Sequence, residues 1–220
     1  FLSGVARACN VIVSVAHVTG HILTGMGATL KNIGMGLSAR GGKLAQHSGV
    51  IPQISKKRCT ACGVCGRWCP VGAIKIDEQY ASIDPKICIG CGECLAVCQF
   101  SAVKIAWDES TVDLQKKVAE YCLAVMKGKA GKVVFFNFLT HITKQCDCMD
   151  RPYQPDIGDI GILASTDPVA IEKATTDIIK ERIGKDFFKD AWPNIDYTVQ
   201  ISYAQEIGLG SMDYELVHYG

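Results

Sequence analysis

Long apolar runs are missing from this chain of 220 residues. No stretch approaches the about 18 uninterrupted apolar residues that mark a membrane-spanning helix. The apolar opening at residues 11–15 is followed by His17 and a Gly-rich run rather than a small-residue cleavage site, so it does not read as a signal peptide. An excess of charge of one sign is lacking too. The formal net charge is +1, which points to neither nucleic acid nor a charged membrane surface as a partner. An initiator Met is absent at Phe1, and an apolar β-run at residues 11–15 arrives almost at once. The expectation is a chain that begins inside an α/β domain, with an upstream segment or a partner chain supplying the missing neighbours.

What the chain has in excess is cysteine, with twelve. Eight of them form two runs of one spacing. Residues 59–76 read CTACGVCGRWCPVGAIKI and residues 88–105 read CIGCGECLAVCQFSAVKI. Disulfide frameworks have no reason to repeat a two-two-three spacing, whereas iron–sulfur ligation does. In a C-x2-C-x2-C-x3-C run three thiolates wrap one cubane, and the fourth, at the start of a segment leading away, serves the other. The pattern predicts two [4Fe-4S] clusters, one on Cys59, Cys62, Cys65 and Cys98, the other on Cys88, Cys91, Cys94 and Cys69. Gly63, Gly66, Gly90 and Gly92 let backbone N–H groups approach the cluster sulfides. Pro70 follows Cys69 as in the bacterial motif, while Gln99 takes its place in the second run. Structural zinc is the competing use of C-x2-C pairs, disfavoured by the trailing fourth cysteine. Reduced thiols place the protein in the cytoplasm, that of an anaerobe.

The repeat reads as a pseudo-twofold βαβ pair forming a ferredoxin-like insert over residues 54–108, between α/β segments at 1–53 and 109–220. Between residues 55 and 108 seven basic side chains face five acidic ones. That balance suits a module built into something larger better than a freely diffusing acidic carrier. Buried strands are expected at residues 11–15, 133–139 and 157–164. Ser110-Thr-Val-Asp113 is a capping box opening a helix with Leu114, Val118, Tyr121, Cys122 and Val125 on one face, stopped near Gly128. Asp167 and Pro168 start a second helix, which buries Ile171, Ala174 and Ile178 and ends at Gly184. Residues 195–201, with Tyr197, Val199 and Ile201 alternating, suggest a late strand.

The remaining polar motifs each admit two readings. His17 and His21, before a Gly-rich run with Lys31, suit a metal, anion or substrate site, or else a tight strand–helix connection with solvated histidines. Cys146-Asp147-Cys148 on an extended segment would aim two thiols to one side. With His17 and His21 they make a possible third metal or ligand site, and with His141 and Lys31 the candidate catalytic set. The alternative is a pair of ordinary thiols beside a turn. Cys9 and Cys122 read as core thiols, though Cys9 lies in the segment that supplies the histidines. Trp68 and Trp107 are expected to shield the clusters, or Trp107 to close the core of the insert.

Further segments carry a family resemblance: His17-Val-Thr-Gly-His21, Gly25 to Gly36, Gly42 to His47, Asn137 to His141, Cys146-Asp-Cys148, Ser165 to Ala170 and Ile207 to Ser211. Together they resemble the iron–sulfur-centre proteins of domain-of-unknown-function family 362 (DUF362) that carry an inserted two-cluster ferredoxin. One departure is Glu172, where the family more often has Asp. The resemblance implies an N-terminal portion absent here and no established reaction. The leading expectation is an intramolecular relay. It takes single electrons from a redox protein and delivers them to a site on the α/β part, as in a ferredoxin-dependent oxidoreductase. A dedicated ferredoxin-type carrier and a non-catalytic subunit of a larger redox complex are the alternatives.

Overall fold

The computed structural model describes residues 1–47, 51–104, 111–149 and 152–219. The chain is mixed α/β with small sheets. In order its elements are α1 (Gly4–Ala8), β1 (Ile12–His17), β2 (Thr19–His21), β3 (Gly25–Gly27), α2 (Thr29–Gly34), α3 (Arg40–His47), β4 (Gln53–Ile54), α4 (Val64–Arg67), β5 (Ile74–Ile76), β6 (Ala81–Ile83), α5 (Glu93–Val97), β7 (Val103–Lys104), α6 (Thr111–Met126), β8 (Val133–Leu139), β9 (Gly161–Ser165), α7 (Pro168–Ile183), α8 (Phe187–Ala191) and α9 (Thr198–Glu206). They fall into two compact units, one of Phe1 with Ala39–Ser110, the other of Leu2–Ser38 with Thr111–Gly220. Among the described residues no helix is long and apolar enough to cross a membrane.

The larger unit is built on a three-stranded sheet of order β1-β8-β9. β1 lies parallel to β8, from Ile12 opposite Val133 to His17 opposite Phe138. The early strand therefore finds its neighbour within the chain, across a long crossover rather than a hairpin. β9 pairs antiparallel to β8. It starts at Gly161 rather than residue 157, because Ile157 is used in an isolated bridge to Ile142. Alternation buries Ile12, Ser14 and Ala16 on one face of β1 and leaves Val13 and Val15 exposed on the other.

Helices cover the buried face. α6 packs on α2 and α9 through Leu114, Val118, Cys122 and Val125, the i, i+4 stripe expected of it. The expected cap at Ser110 and the residue Trp107 lie outside the described residues. Asp167 caps α7 by accepting Val169 and Ala170 N–H at 2.7 and 3.0 Å, Pro168 follows, and Gly184 ends the helix with φ 71°. Residues 198–206 form a helix, not the expected strand. The short alternation at Tyr197, Val199 and Ile201 is part of a longer period, in which Tyr197, Gln200, Ile201 and Ala204 are the buried positions.

In the smaller unit the order strand–helix–strand occurs twice, as β4-α4-β5 and β6-α5-β7. β5 pairs with β6 and β4 with β7, both antiparallel, and α4 packs against α5. The unit begins at Ala39, before residue 54, because α3 packs on the second cysteine run. A Cβ on Gly41 would stand 3.2 Å from the Cys91 carbonyl oxygen, Leu44 lies against Gly92, and Arg40 pairs with Glu93 at 2.8 Å.

Candidate functional site

In the smaller unit eight cysteines gather into two quartets. Cys59, Cys62, Cys65 and Cys98 line one small apolar cavity with Ile54, Val64 and Val103. Cys69, Cys88, Cys91 and Cys94 line a second with Val71, Ile74 and Ile83. Each quartet takes three cysteines from one run and the fourth from the other. The cause is local: Cys69 and Cys98 follow α4 and α5, and each helix carries the chain away from the loop that precedes it. The cavity walls supply N–H donors aimed at sulfur. Ala81 N–H reaches Cys59 Sγ at 3.2 Å, Ala102 N–H reaches Cys98 Sγ at 3.3 Å, and Ala73 N–H reaches Cys69 Sγ at 3.2 Å.

These environments set the thiols apart. Burial acts to raise Cys98, but the backbone N–H groups of residues 100–103 outweigh it and hold the thiol below its ordinary value. Burial pushes Cys94 up to about 11, with the neighbouring Cys91 adding to the shift. A buried cysteine among other cysteines resists ionising unless a cation shares its charge, so the chemistry of each quartet fits a cationic metal group. Trp68 is 58% exposed and shields neither cavity.

The second constellation is in the larger unit, just past the carboxyl ends of the parallel strands β1 and β8. A ring nitrogen of His21, Cys146 Sγ and Cys148 Sγ all lie within 4.8 Å of one another. Gly20 allows this approach: its N–H bonds Thr143 O at 2.7 Å, and its α-carbon faces the Lys144 carbonyl so closely that a Cβ would stand 2.2 Å from that oxygen. The cysteines are on a turn, not an extended segment. Cys146 O accepts Met149 N–H at 3.0 Å, and Cys146 Sγ accepts Cys148 N–H at 3.3 Å. Lys31, from α2, places its Nζ 3.6 Å from Cys146 Sγ.

His17 does not join the cluster. Its Nδ1 meets Asp147 Oδ2 at 2.6 Å and its Nε2 meets Thr140 O at 2.7 Å. Both partners only accept, so both ring nitrogens donate. Burial acts to lower its pKa, but Asp147 and the Thr140 carbonyl prevail and raise it. With both ring nitrogens engaged, His17 anchors the residue between the two cysteines instead. His141 is also elsewhere. Its N–H bonds Asp159 at 2.8 Å and its Nε2 lies 3.2 Å from Tyr153 O, at a φ of 49°. Cys9 caps α1, with its thiol on Ala6 O, and Cys122 is fully buried in the core.

Sequence reasoning missed the buried polar group at Glu172. Its Oε2 accepts Leu30 N–H at 3.4 Å, its Oε1 has no partner among the described residues, and burial raises its pKa to about 8. Beside it Thr29 donates to Asn137 Oδ1, and Asn137 Nδ2 donates to Thr175. The signal was available: residues 168, 172, 175 and 179 form the core-facing stripe of α7, and Glu172 is its charged member. A broader groove beside the C-terminal end of α6 contains no cysteine or histidine. Its Asp167 is committed to capping α7 and holding Ser211 N–H at 2.9 Å, so this groove carries no comparable chemistry.

None of the curated proteins matches the sequence. A family model does: the chain belongs to the family described as Domain of unknown function (DUF362), which matches residues 1–177.

Proposed function

We propose that the protein is an iron–sulfur electron-transfer protein that holds two [4Fe-4S] clusters and passes single electrons to a redox site on its α/β part. Cys59, Cys62, Cys65 and Cys98 would hold one cluster and Cys88, Cys91, Cys94 and Cys69 the other. The observation that carries the reading is the crossed grouping of the eight cysteines around two separate apolar cavities. When bound, the clusters supply reversible one-electron transfer.

The protein residues do the rest. Eight thiolates set the charge and hold the group in place. Backbone N–H groups of Ala73, Ala81 and Ala102 offset negative charge on sulfur, which favours the reduced state. Apolar walls from Ile54, Val103, Ile74 and Ile83 limit water. A second reading, a dedicated carrier that exchanges electrons directly with a redox partner, is favoured by the exposure of Cys62 at one cavity. In either case, iron and acid-labile sulfide assays on anaerobically purified protein should each give about eight per chain. Zinc in place of iron, with no labile sulfide, would refute both.

A further inference from the structure

We infer that His21, Cys146 and Cys148 form a mononuclear site for a divalent zinc-class cation, with a fourth, open coordination position. The site lies in the α/β unit and does not depend on the eight cysteines of the smaller one.

The donor set is chemically matched. Two thiolates and one imidazole suit a borderline-soft cation, and three protein ligands rather than four are the arrangement of catalytic zinc, where water or substrate completes the tetrahedron. Their ligand atoms, within 4.8 Å of one another, can be spanned by one ion. Binding displaces the two thiol protons, and Lys31 Nζ stands 3.6 Å from Cys146 Sγ, a cation beside the sulfur charge of the bound state.

The His21 ring is held for the task. Its Nδ1 lies 2.9 Å from Thr24 Oγ1, and that hydroxyl spends its own proton on Met26 O at 2.7 Å. Nδ1 also accepts the backbone N–H of Leu23 at 3.3 Å and of Thr24 at 3.1 Å. These backbone donors hold Nδ1 unprotonated and fix the ring plane, so the ring proton sits on Nε2 and a cation bound there displaces it.

The two cysteines are held as well. His17 grips Asp147 between them, Trp192 Nε1 donates to Lys144 O at 2.9 Å, and Asp156 accepts Lys144 N–H at 2.8 Å. A loop tied at Lys144 and at Asp147 keeps its thiols converged before any ligand arrives.

The test uses the full chain, purified without oxygen with its iron in place, incubated with zinc alone and desalted. One zinc per chain should be retained with iron unchanged. The zinc K-edge should report two sulfurs at about 2.3 Å, one nitrogen at about 2.0–2.1 Å and one further light atom. Cys146→Ser with Cys148→Ser should abolish retention. The single variant Cys148→Ser, at an exposed position, guards against misfolding and should lower affinity at least tenfold. His17→Gln should keep the two-sulfur, one-nitrogen signature while weakening binding about 10–100-fold, as expected of a positioning residue. Absence of retained zinc, zinc coordinated by four sulfurs, or a Cys146–Cys148 disulfide in its place would each overturn the assignment. Loss of iron and sulfide would instead count against the cluster reading and leave the zinc-edge result standing.

Discussion

Ala61 and Gly90 occupy equivalent places in the two cysteine runs, and both have positive φ, 54° and 65°. The correspondence continues through Gly63 with Gly92, at 74° and 69°, and Gly72 with Ser101, at 67° and 48°. The sequence repeat is thus a repeat of backbone conformation, and at two positions a residue with a Cβ adopts the left-handed region that its counterpart fills with glycine. Ala61→Gly and Ser101→Gly should each leave stability unchanged or raise it by up to about 1 kcal/mol. Gly63→Ala and Gly72→Ala, with nothing within 4 Å of the added Cβ, should lower it by about 1 kcal/mol from conformation alone. Thermal melts of the four variants with cluster content matched check the pattern, and a loss at Ala61→Gly would contradict it.

The buried Glu172 makes stability depend on pH. Its carboxyl ionises at the ordinary carboxylate value of 4.5 when unfolded, and burial raises that to about 8 when folded. Between those values the folded chain keeps a proton that the unfolded chain releases, so this group's contribution falls as pH rises through that window, by at most about 1.4 kcal/mol per pH unit. Glu172→Gln should flatten that part of the profile and gain most over the parent above pH 8. Denaturant midpoints at a series of pH values measure this, and parallel profiles for the two proteins would rule out the protonated carboxyl.

At Gly20 the consequence is steric. A methyl group there would stand 2.2 Å from the Lys144 carbonyl oxygen, a backbone atom with little room to yield. Gly20→Ala should cost about 1–3 kcal/mol and separate His21 from the Cys146 turn. Zinc retention should fall while iron content stays. Retention equal to the parent's would show that the close approach is not what assembles the three ligands.

Parts of this architecture are legible in the sequence for physical reasons. The strand at Val133–Leu139 and the helix at Pro168–Ile183 announce themselves because apolar period, cap and terminator agree within a few residues. Which cysteines gather together follows from spacing, since a short helix between the third and fourth cysteine of a run carries the last one away. The choice of His21 over His17 is not legible. The two flank one glycine motif, and what separates them is contact with Asp147 and Thr140, more than a hundred residues on. Nor does the sequence show that the thiols of Cys146 and Cys148 converge through a turn, or that α3 packs on the second cysteine run through Gly41 and Leu44. Those depend on backbone approach, which leaves no period in the residue pattern.

The central claim is that two four-iron clusters are held by crossed quartets. The most direct measurement is iron content together with the EPR spectrum of the dithionite-reduced full chain in Cys69→Ala and Cys98→Ala. The prediction is that Cys69→Ala alters the same signal as Cys88→Ala, and Cys98→Ala the same signal as Cys59→Ala, in each case leaving the other cluster's iron in place. If Cys69→Ala instead reproduces Cys59→Ala, or if the parent chain holds no iron–sulfur signal at all, the account is contradicted.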